Sequence, residues 1–351
     1  MKNQLTNGII ILILLFAGLS TVKSQRVEKN YQESFKVNSS TILDIDSKFG
    51  EVRLLEGNEN TIEVRANIWV ESNREEIAEK LLSNLDAEIV MSDNRVIVKS
   101  ALPDKMNTDK KTRFRIDFEI FAPSDINLEL LSKYGTVYIE EHNGHADISV
   151  EYGNLKCQEL TRGKEKPLNT LKMAYSSGSI AETGWLKLDL AFSKLAITEA
   201  QALVVLSKYS GLSMDECSSI VLESKYDTYS LGELNNFLGE MKYSNLKIDE
   251  ISKQFEIESA YTSVKVDEIS QDFQTIKIEN SRGNYKIAID ENASFTINGV
   301  AKRGDISVEG MSKLNKRSEN ADKYIDGTHG NNPDASIDIE VKEGSVKLIL
   351  E

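Results

Sequence analysis

A ring, a small residue, two alternating apolar residues and then a glutamate return through this chain at a nearly fixed interval. That period constrains the fold more than any other feature. SKFGEVRLLE (47–56), SKYGTVYIEE (132–141), LSKYSGLSMDE (206–216) and MKYSNLKIDE (241–250) are four copies. With the ring as position zero, the units fall at Phe49, Tyr134, Tyr152, Tyr175, Phe192, Tyr209, Tyr226, Tyr243 and Tyr261. From Tyr134 onward the spacings are 18, 23, 17, 17, 17, 17 and 18 residues.

Within each unit the pattern has period two. Apolar or small residues stand at −6, −4 and −2, as in Leu203, Val205 and Ser207, with mostly polar residues between them. This is a strand with one buried face. Gly135, Ser193, Ser210, Asp227 and Ser244 follow the ring, where the chain is expected to bend. A second strand buries +3 and +5, as in Leu212/Met214 and Leu246/Ile248. Two short strands cannot enclose a core alone, so each unit must bury its apolar face on its neighbours, which is the logic of a solenoid. Weaker copies at Ile276/Ile278, Ile306/Val308 and Ile337 to Leu348 extend the array. A dozen rungs would stack to a length of ~55–60 Å. The expected fold is mainly β, a parallel β-solenoid of 17–18-residue rungs. A β-sandwich with coincidental spacing competes with it, and a left-handed hexapeptide helix would need a six-residue subperiod that is absent.

The segment between the Phe49 and Tyr134 units breaks the period. Thr61 to Val70 alternates as a strand, and Ser72 or Asn73 can cap a helix carrying Ile77, Leu81, Leu82 and Leu85. A hairpin is expected around Asp93-Asn94, then a charged loop over 102–112 and a strand over 113–121. The chain is therefore divided into a leader (1–24), a first rung (25–56), a small α+β capping insertion (57–127) and solenoid repeats (128–351) with a polar, mobile excursion at 311–334. The insertion would cover the first exposed rung, because a bare strand edge invites aggregation.

The run FEIFAPSDINLELLSKYGTVYIEEHNGHADISVEYGNLKC (118–157) resembles the bacterial putative-adhesin family of β-strand repeats. The resemblance covers most of the mature chain and lies in composition and pattern rather than in catalytic motifs. It implies an exported, right-handed β-solenoid of largely unassigned function, and it carries over no functional residues.

Lys2 followed by the apolar run Ile9 to Leu19 reads as a signal peptide, being shorter than a spanning helix requires. Val22-Lys23-Ser24 offers a cleavage site that leaves Gln25 first; an uncleaved anchor is the alternative. No later stretch is apolar enough to span a bilayer, so no transmembrane segment is expected in the mature chain. The protein is expected in the periplasm, on the outer-membrane surface or outside the cell. A net charge of −14 excludes phosphate-backbone binding, and no nucleic-acid motif offsets it.

The glutamate at +7 recurs in all nine units: Glu56, Glu141, Glu159, Glu182, Glu199, Glu216, Glu233, Glu250 and Glu268. Parity with +3 and +5 predicts that it points inward. In-register carboxylates about 5 Å apart would then repel by roughly 3 kcal/mol at an effective dielectric near 20. The expected compensation is a staple, each carboxylate accepting backbone N–H groups at the corner. Protonation, or a Ca²⁺ edge built from Asp215, Glu216, Asp249, Glu250, Asp267 and Glu268, are the alternatives. No other cofactor is expected. The ring column is read as a structural stack, with a sugar-stacking platform as the alternative.

His142 and His145 flank Asn143-Gly144 and are read as a solvated turn; His329 lies in the polar excursion. Cys157 and Cys217 lie about three rungs apart, too far for a disulfide, so two free buried thiols are expected. Nucleophile elbow, phosphate loop and zinc signature are all absent from the sequence, and the short rungs leave little room for a catalytic cleft. The functional expectation is a non-enzymatic cell-envelope scaffold or adhesin that binds a glycan or an envelope protein. A periplasmic scaffold of an envelope-stress pathway, contacting through the insertion and the 102–112 loop, is second. A carbohydrate-active enzyme is third.

Overall fold

The computed structural model describes residues 25–103, 105 and 111–351. The signal peptide expected over 1–24 and most of the charged loop expected over 102–112 lie outside the described residues. Among the described residues, apart from one helix, all regular structure is strand, in a single mixed sheet of 26 strands that does not close on itself. Among the described residues no helix is long and apolar enough to cross a membrane.

The N-terminal part comprises β1 (Gln25–Lys36), β2 (Ile42–Lys48), β3 (Glu51–Glu56) and β4 (Thr61–Ser72). Helix α1 (Glu75–Leu82), β5 (Asp86–Ser92), β6 (Arg95–Ala101) and β7 (Arg113–Ala122) follow. The repeat region opens with β8 (Asn127–Lys133), β9 (Thr136–His142), β10 (Ala146–Glu151), β11 (Asn154–Leu160) and β12 (Asn169–Ala174). Five long strands come next: β13 (Ser177–Ala191), β14 (Lys194–Lys208), β15 (Gly211–Lys225), β16 (Thr228–Lys242) and β17 (Asn245–Ala260). The chain then forms β18 (Ser263–Ile269), β19 (Thr275–Ser281), β20 (Asn284–Ile289), β21 (Phe295–Lys302) and β22 (Asp305–Glu309). It ends with β23 (Leu314–Glu319), β24 (Asp322–His329), β25 (Ala335–Lys342) and β26 (Ser345–Leu350).

From β13 to β17 each unit pairs in parallel with the next, and the period sets the register: Leu188 with Val205, Val205 with Leu222, Leu222 with Gly239. Leu195 and Ile197 from the strand after the ring enter the same core cluster as Leu203 and Val205 from the strand before the next ring. Each such side chain contributes about 1.5–3 kcal/mol by leaving water, and only stacking makes that burial available. Ladder pairing lapses at +6 and +9, for example at Thr198 and Gln201. There the long strands bend, and alternation slips by one residue.

Chain order and stacking order differ at both ends. The rung β2/β3 lies between β6/β7 and β8/β9, all paired in parallel. The 57–127 segment thus adds a rung outside the first one and covers it with antiparallel β4 on one side and β5 on the other. Of the stretch 25–56 expected as the first rung, only β2 and β3 join the parallel stack, whereas β1 pairs antiparallel with β4 at the edge. Likewise β25/β26, expected to be the last rung, sits between β19/β20 and β21/β22. The polar excursion expected to be mobile at 311–334 forms the hairpin β23–β24 instead. It pairs antiparallel with β21 and closes that end with polar strands.

The N-cap of helix α1 is Arg74 rather than Ser72 or Asn73, with no side-chain cap hydrogen bond. Ser72 turns to the Thr112 hydroxyl at 3.1 Å, while Glu75 and Glu76 in the first turn and Lys80 in the last suit the helix dipole. The hairpin expected around Asp93-Asn94 is present, both residues having the positive φ of a type I′ turn. In the first three units the residue after the ring must be glycine. A Cβ at Gly135 would lie 2.2 Å from the Gly50 carbonyl oxygen, and one at Gly153 would lie 2.4 Å from that of Gly135.

Candidate functional site

The nine rings stack in one file. Successive centroids from Phe49 to Tyr261 lie 4.8–5.1 Å apart with interplanar angles of 2–14°. The bend falls on the ring residue itself rather than on the small residue after it: all nine have φ between 51° and 63°. A left-handed backbone costs an L-residue roughly 1–2 kcal/mol, whereas each offset ring pair contributes about 0.5–1.5 kcal/mol beyond its burial. The stack therefore offsets a strain that glycine would have avoided. Phe114 covers the outer face of Phe49 at 5.3 Å, and the Arg282 guanidinium covers Tyr261 at 5.4 Å.

With every ring face taken by a neighbour, the file presents ring edges to solvent and has no free face for a sugar. Beyond Tyr261 the same left-handed column continues as Arg282, Glu343 and Arg303. Glu343 holds both arginines, at 2.7 and 2.5 Å. Tyr209→Gly removes two ring contacts and also the strain, so a net destabilisation of only about 1 kcal/mol is expected in chemical denaturation. A loss above about 3 kcal/mol would contradict this balance.

Behind the rings the residues expected to form the bend build a hydroxyl ladder instead. The N–H of Ser176 donates to Ser193 Oγ, that of Ser193 to Ser210 Oγ and that of Asp227 to Ser244 Oγ, each at 3.1 Å. Each hydroxyl donates in turn to a carbonyl two residues back, as from Ser193 to Ala191 at 2.8 Å. Asp227 replaces serine in this column. Its buried carboxylate accepts from Ser210 N–H at 2.6 Å, Ser224 Oγ at 2.8 Å, Lys225 N–H at 2.9 Å and the Tyr229 hydroxyl at 3.3 Å. The recurrence of serine at +1 every 17 residues was the available signal.

Eight of the nine glutamates, Glu141 to Glu268, are in register from rung to rung. They point outward, not inward, because alternation slips at the corner: +6 and +7 both face solvent and +8 is buried. Glu141 and Glu250 are half-buried, the other six exposed. Glu56 pairs instead with Ala122. In water-like dielectric the repulsion between neighbours at rung spacing falls to under about 1 kcal/mol, so little compensation is needed. The staple is not formed: among the described residues no backbone N–H reaches a carboxylate of the column. Glu141 accepts from Asn143 at 3.4 Å and Glu250 from Ser270 at 2.8 Å. Glu140, next to the column, accepts the Glu56 N–H at 3.1 Å.

The six residues of the calcium edge do not form a donor set. Lys247 holds Asp249 at 2.5 Å and reaches Asp267 at 3.3 Å, and Lys265 pairs with Asp267. The lysine contacts, Lys265 first, hold Asp267 below its ordinary pKa. Among the described residues no three acidic, His or Cys side chains converge on one point. Millimolar calcium and chelator are expected to give the same melting temperature, whereas Glu216→Gln/Glu233→Gln raises it slightly at low salt and not at 1 M, where charges are screened. A calcium-dependent upward shift would restore the metal edge.

His142 is buried to 1 % exposure, not solvated. Its Nε2 lies 3.3 Å from the His145 carbonyl oxygen, and burial pulls its pKa down to about 4. His329 packs on Phe295 at 5.4 Å and reaches the Glu291 carbonyl oxygen at 2.9 Å. Cys157 and Cys217 are free and buried, their pKa values pushed up by burial to about 12 and about 11.

A further feature, not expected from the sequence, lies on the outer face of the strands that precede the rings. Val204, Leu206, Val221 and Leu238 are 40–48 % exposed and contiguous. Val204 pairs with Val221, Val221 with Leu238, and Leu206 adjoins Glu223 on the next rung. They line a shallow recess of about 540 Å³ flanked by Glu240, Glu256 and Glu258. These residues occupy −5 and −3, positions that elsewhere carry charge, as at Lys187, Asp189 and Lys277. Four aliphatics where the pattern calls for polar side chains were the visible signal.

Solved structures similar to this chain include a putative cell adhesion protein of Clostridium sporogenes, 10 % identical, with 92 % of this chain and 100 % of that one covered at a TM-score of 0.20. A putative adhesin of Parabacteroides distasonis is 7 % identical, covering 91 % and 97 % at a TM-score of 0.33. A putative lipid binding protein from the same species is 10 % identical, covering 91 % and 96 % at a TM-score of 0.28. The structural neighbours are thus mostly described as putative adhesins or cell adhesion proteins, as the resemblance of 118–157 implies; similarity at this level carries no further argument. No protein-family model matches the chain, and no curated protein matches it.

Proposed function

We propose that the chain is a non-enzymatic binding scaffold of the cell envelope, an adhesin-like module wound as a right-handed β-solenoid and exported by the segment 1–24. In this reading β2 and β3 supply the first rung, β1 and 57–127 cap one end, and the repeats over 128–351 hold an extended outer face rigidly for an envelope protein. The observation that carries it is the exposed aliphatic group Val204, Leu206, Val221 and Leu238, set in register on strands that cannot reposition independently. A contiguous apolar surface on a rigid face marks an interaction site.

The test is binding of the purified mature chain to isolated envelope fractions, with Val221→Glu as the comparison. The proposal expects saturable binding to the protein-containing fraction that Val221→Glu abolishes while the melting temperature is unchanged. Binding that ignores Val221→Glu, or release of reducing sugar from envelope polysaccharide, would overturn it.

A further inference from the structure

The outer face carries a second acidic file, distinct from the glutamate column at +7. At position −3 Leu206 is followed, rung by rung, by Glu223, Glu240, Glu258, Glu279 and Glu340. Directly beside it at −5 run Val204, Val221 and Leu238, then Glu256. An aliphatic file and a carboxylate file thus lie side by side along the stacking axis.

The acidic file is only partly neutralised. Lys242 holds Glu240 at 2.8 Å and Lys277 holds Glu279 at 2.9 Å. Among the described residues Glu223, Glu256, Glu258 and Glu340 have no ion-pair partner. The nearby Lys208 and Lys225 lie over the Tyr209 and Tyr226 rings instead, at 5.6 and 5.5 Å. Glu240, with Glu258 and Glu223 adding to it, holds Lys242 above the ordinary lysine pKa. The face therefore has uncompensated negative charge within one rung of its apolar recess.

We infer that this face docks a cationic amphipathic segment of a partner protein, with aliphatic side chains seated on Val204, Val221 and Leu238 and Lys or Arg side chains on the Glu223–Glu340 file. This rests on the docking face of the proposed function and adds the chemistry of the partner. The spacing fits. Five carboxylates in register span about 19 Å at rung spacing, the length of a helix of about 13 residues. One basic residue per helical turn, rising about 5.4 Å, meets one carboxylate per rung at about 4.8 Å, within the reach of a lysine side chain. A purely cationic ligand would leave the aliphatics unused, and a neutral apolar one would leave the carboxylates unpaired.

The probe is a labelled Leu/Lys peptide of about 14 residues with leucines on one helical face, titrated by fluorescence anisotropy into the mature chain. Saturable binding is expected, weakened at least about tenfold by scrambling the peptide and abolished by replacing its lysines with glutamates. Val221→Ser/Leu238→Ser and Glu240→Gln/Glu258→Gln are each expected to weaken it about tenfold, and added salt to weaken it further. All four positions are solvent-facing, and unchanged melting of each variant confirms that the fold is kept.

Equal affinity for the scrambled peptide would reduce the face to a charge surface and overturn the inference, as would wild-type affinity in either double variant. A dimer in sedimentation that Val221→Ser dissolves would assign the face to a second copy and overturn it too. Envelope binding that Val221→Glu abolishes but the peptide does not compete would overturn the cationic partner while leaving the docking face intact.

Discussion

Asp227→Ala is expected to destabilise the chain by about 4 kcal/mol, a large share of the 5–15 kcal/mol that domains typically have. The carboxylate is buried and accepts from two backbone N–H groups and two hydroxyls. Removing it strands the donors, each costing about 1–3 kcal/mol when unsatisfied. Its column shows how to repair the loss. Neighbouring rungs carry Ser210 and Ser244 at this position, with Leu212 and Leu246 two residues later where this rung has Tyr229. Asp227→Ser/Tyr229→Leu recreates that pairing and is expected to stay within about 1 kcal/mol of the parent. Chemical denaturation of the three proteins decides it. A double variant as damaged as Asp227→Ala would show that serine cannot take the place of Asp227 in this column.

Acid is expected to destabilise the fold through His142 by up to about 3 kcal/mol. The folded state holds this imidazole at about 4, whereas an unfolded one has a value near 6.5. Between those values the unfolded chain binds a proton that the folded chain refuses, so stability is full above about pH 6.5 and falls as pH drops towards 4. Burial is the main cause; the contact with the His145 carbonyl oxygen opposes it only in part. His142→Gln keeps a donor to that carbonyl and does not titrate. The difference in unfolding free energy between parent and variant should therefore move by about 3 kcal/mol between pH 7 and 4. Curves that stay parallel over that interval would show that His142 is not the group responsible.

The stacking was legible because the period of 17–18 residues is set by how much chain one turn of two strands consumes, and nothing local competes with it. The file of rings and the buried +3 and +5 positions followed directly. Two things did not. The corner at +6 inserts one residue out of step, which sends Glu199, Glu216 and their neighbours outward although strict alternation points them in. Parity counts across a bend fail unless the bend's own residue count is known. The stacking order was also hidden: which side of β2 receives β8 depends on β6 and β7 having taken the other side, a tertiary choice with no local trace.

The outer docking face illustrates a different limit. Val204, Val221 and Leu238 share a column with Lys187, Glu256 and Lys277. Read one strand at a time, each valine or leucine is an unremarkable exposed aliphatic of the kind every surface has. Only the register gathers them into one patch and sets a carboxylate file alongside. The candidate site is therefore a property of the stacking, and it stands or falls with that register.

Disulfide formation between introduced cysteines tests the register most directly. Ser213 and Ser230 occupy the same outward position on adjacent rungs and are paired in the ladder, while Lys247 is one rung further. The native Cys157 and Cys217 are buried, with thiols held well above the ordinary range, and stay out of the reaction. Ser213→Cys/Ser230→Cys is expected to oxidise to a disulfide, its Cα atoms lying about 4.8 Å apart. No disulfide is expected in Ser213→Cys/Lys247→Cys, where about 9.6 Å exceeds what the bond can span. A disulfide in the second pair and none in the first would contradict the in-register stack, and with it the face that the stack builds.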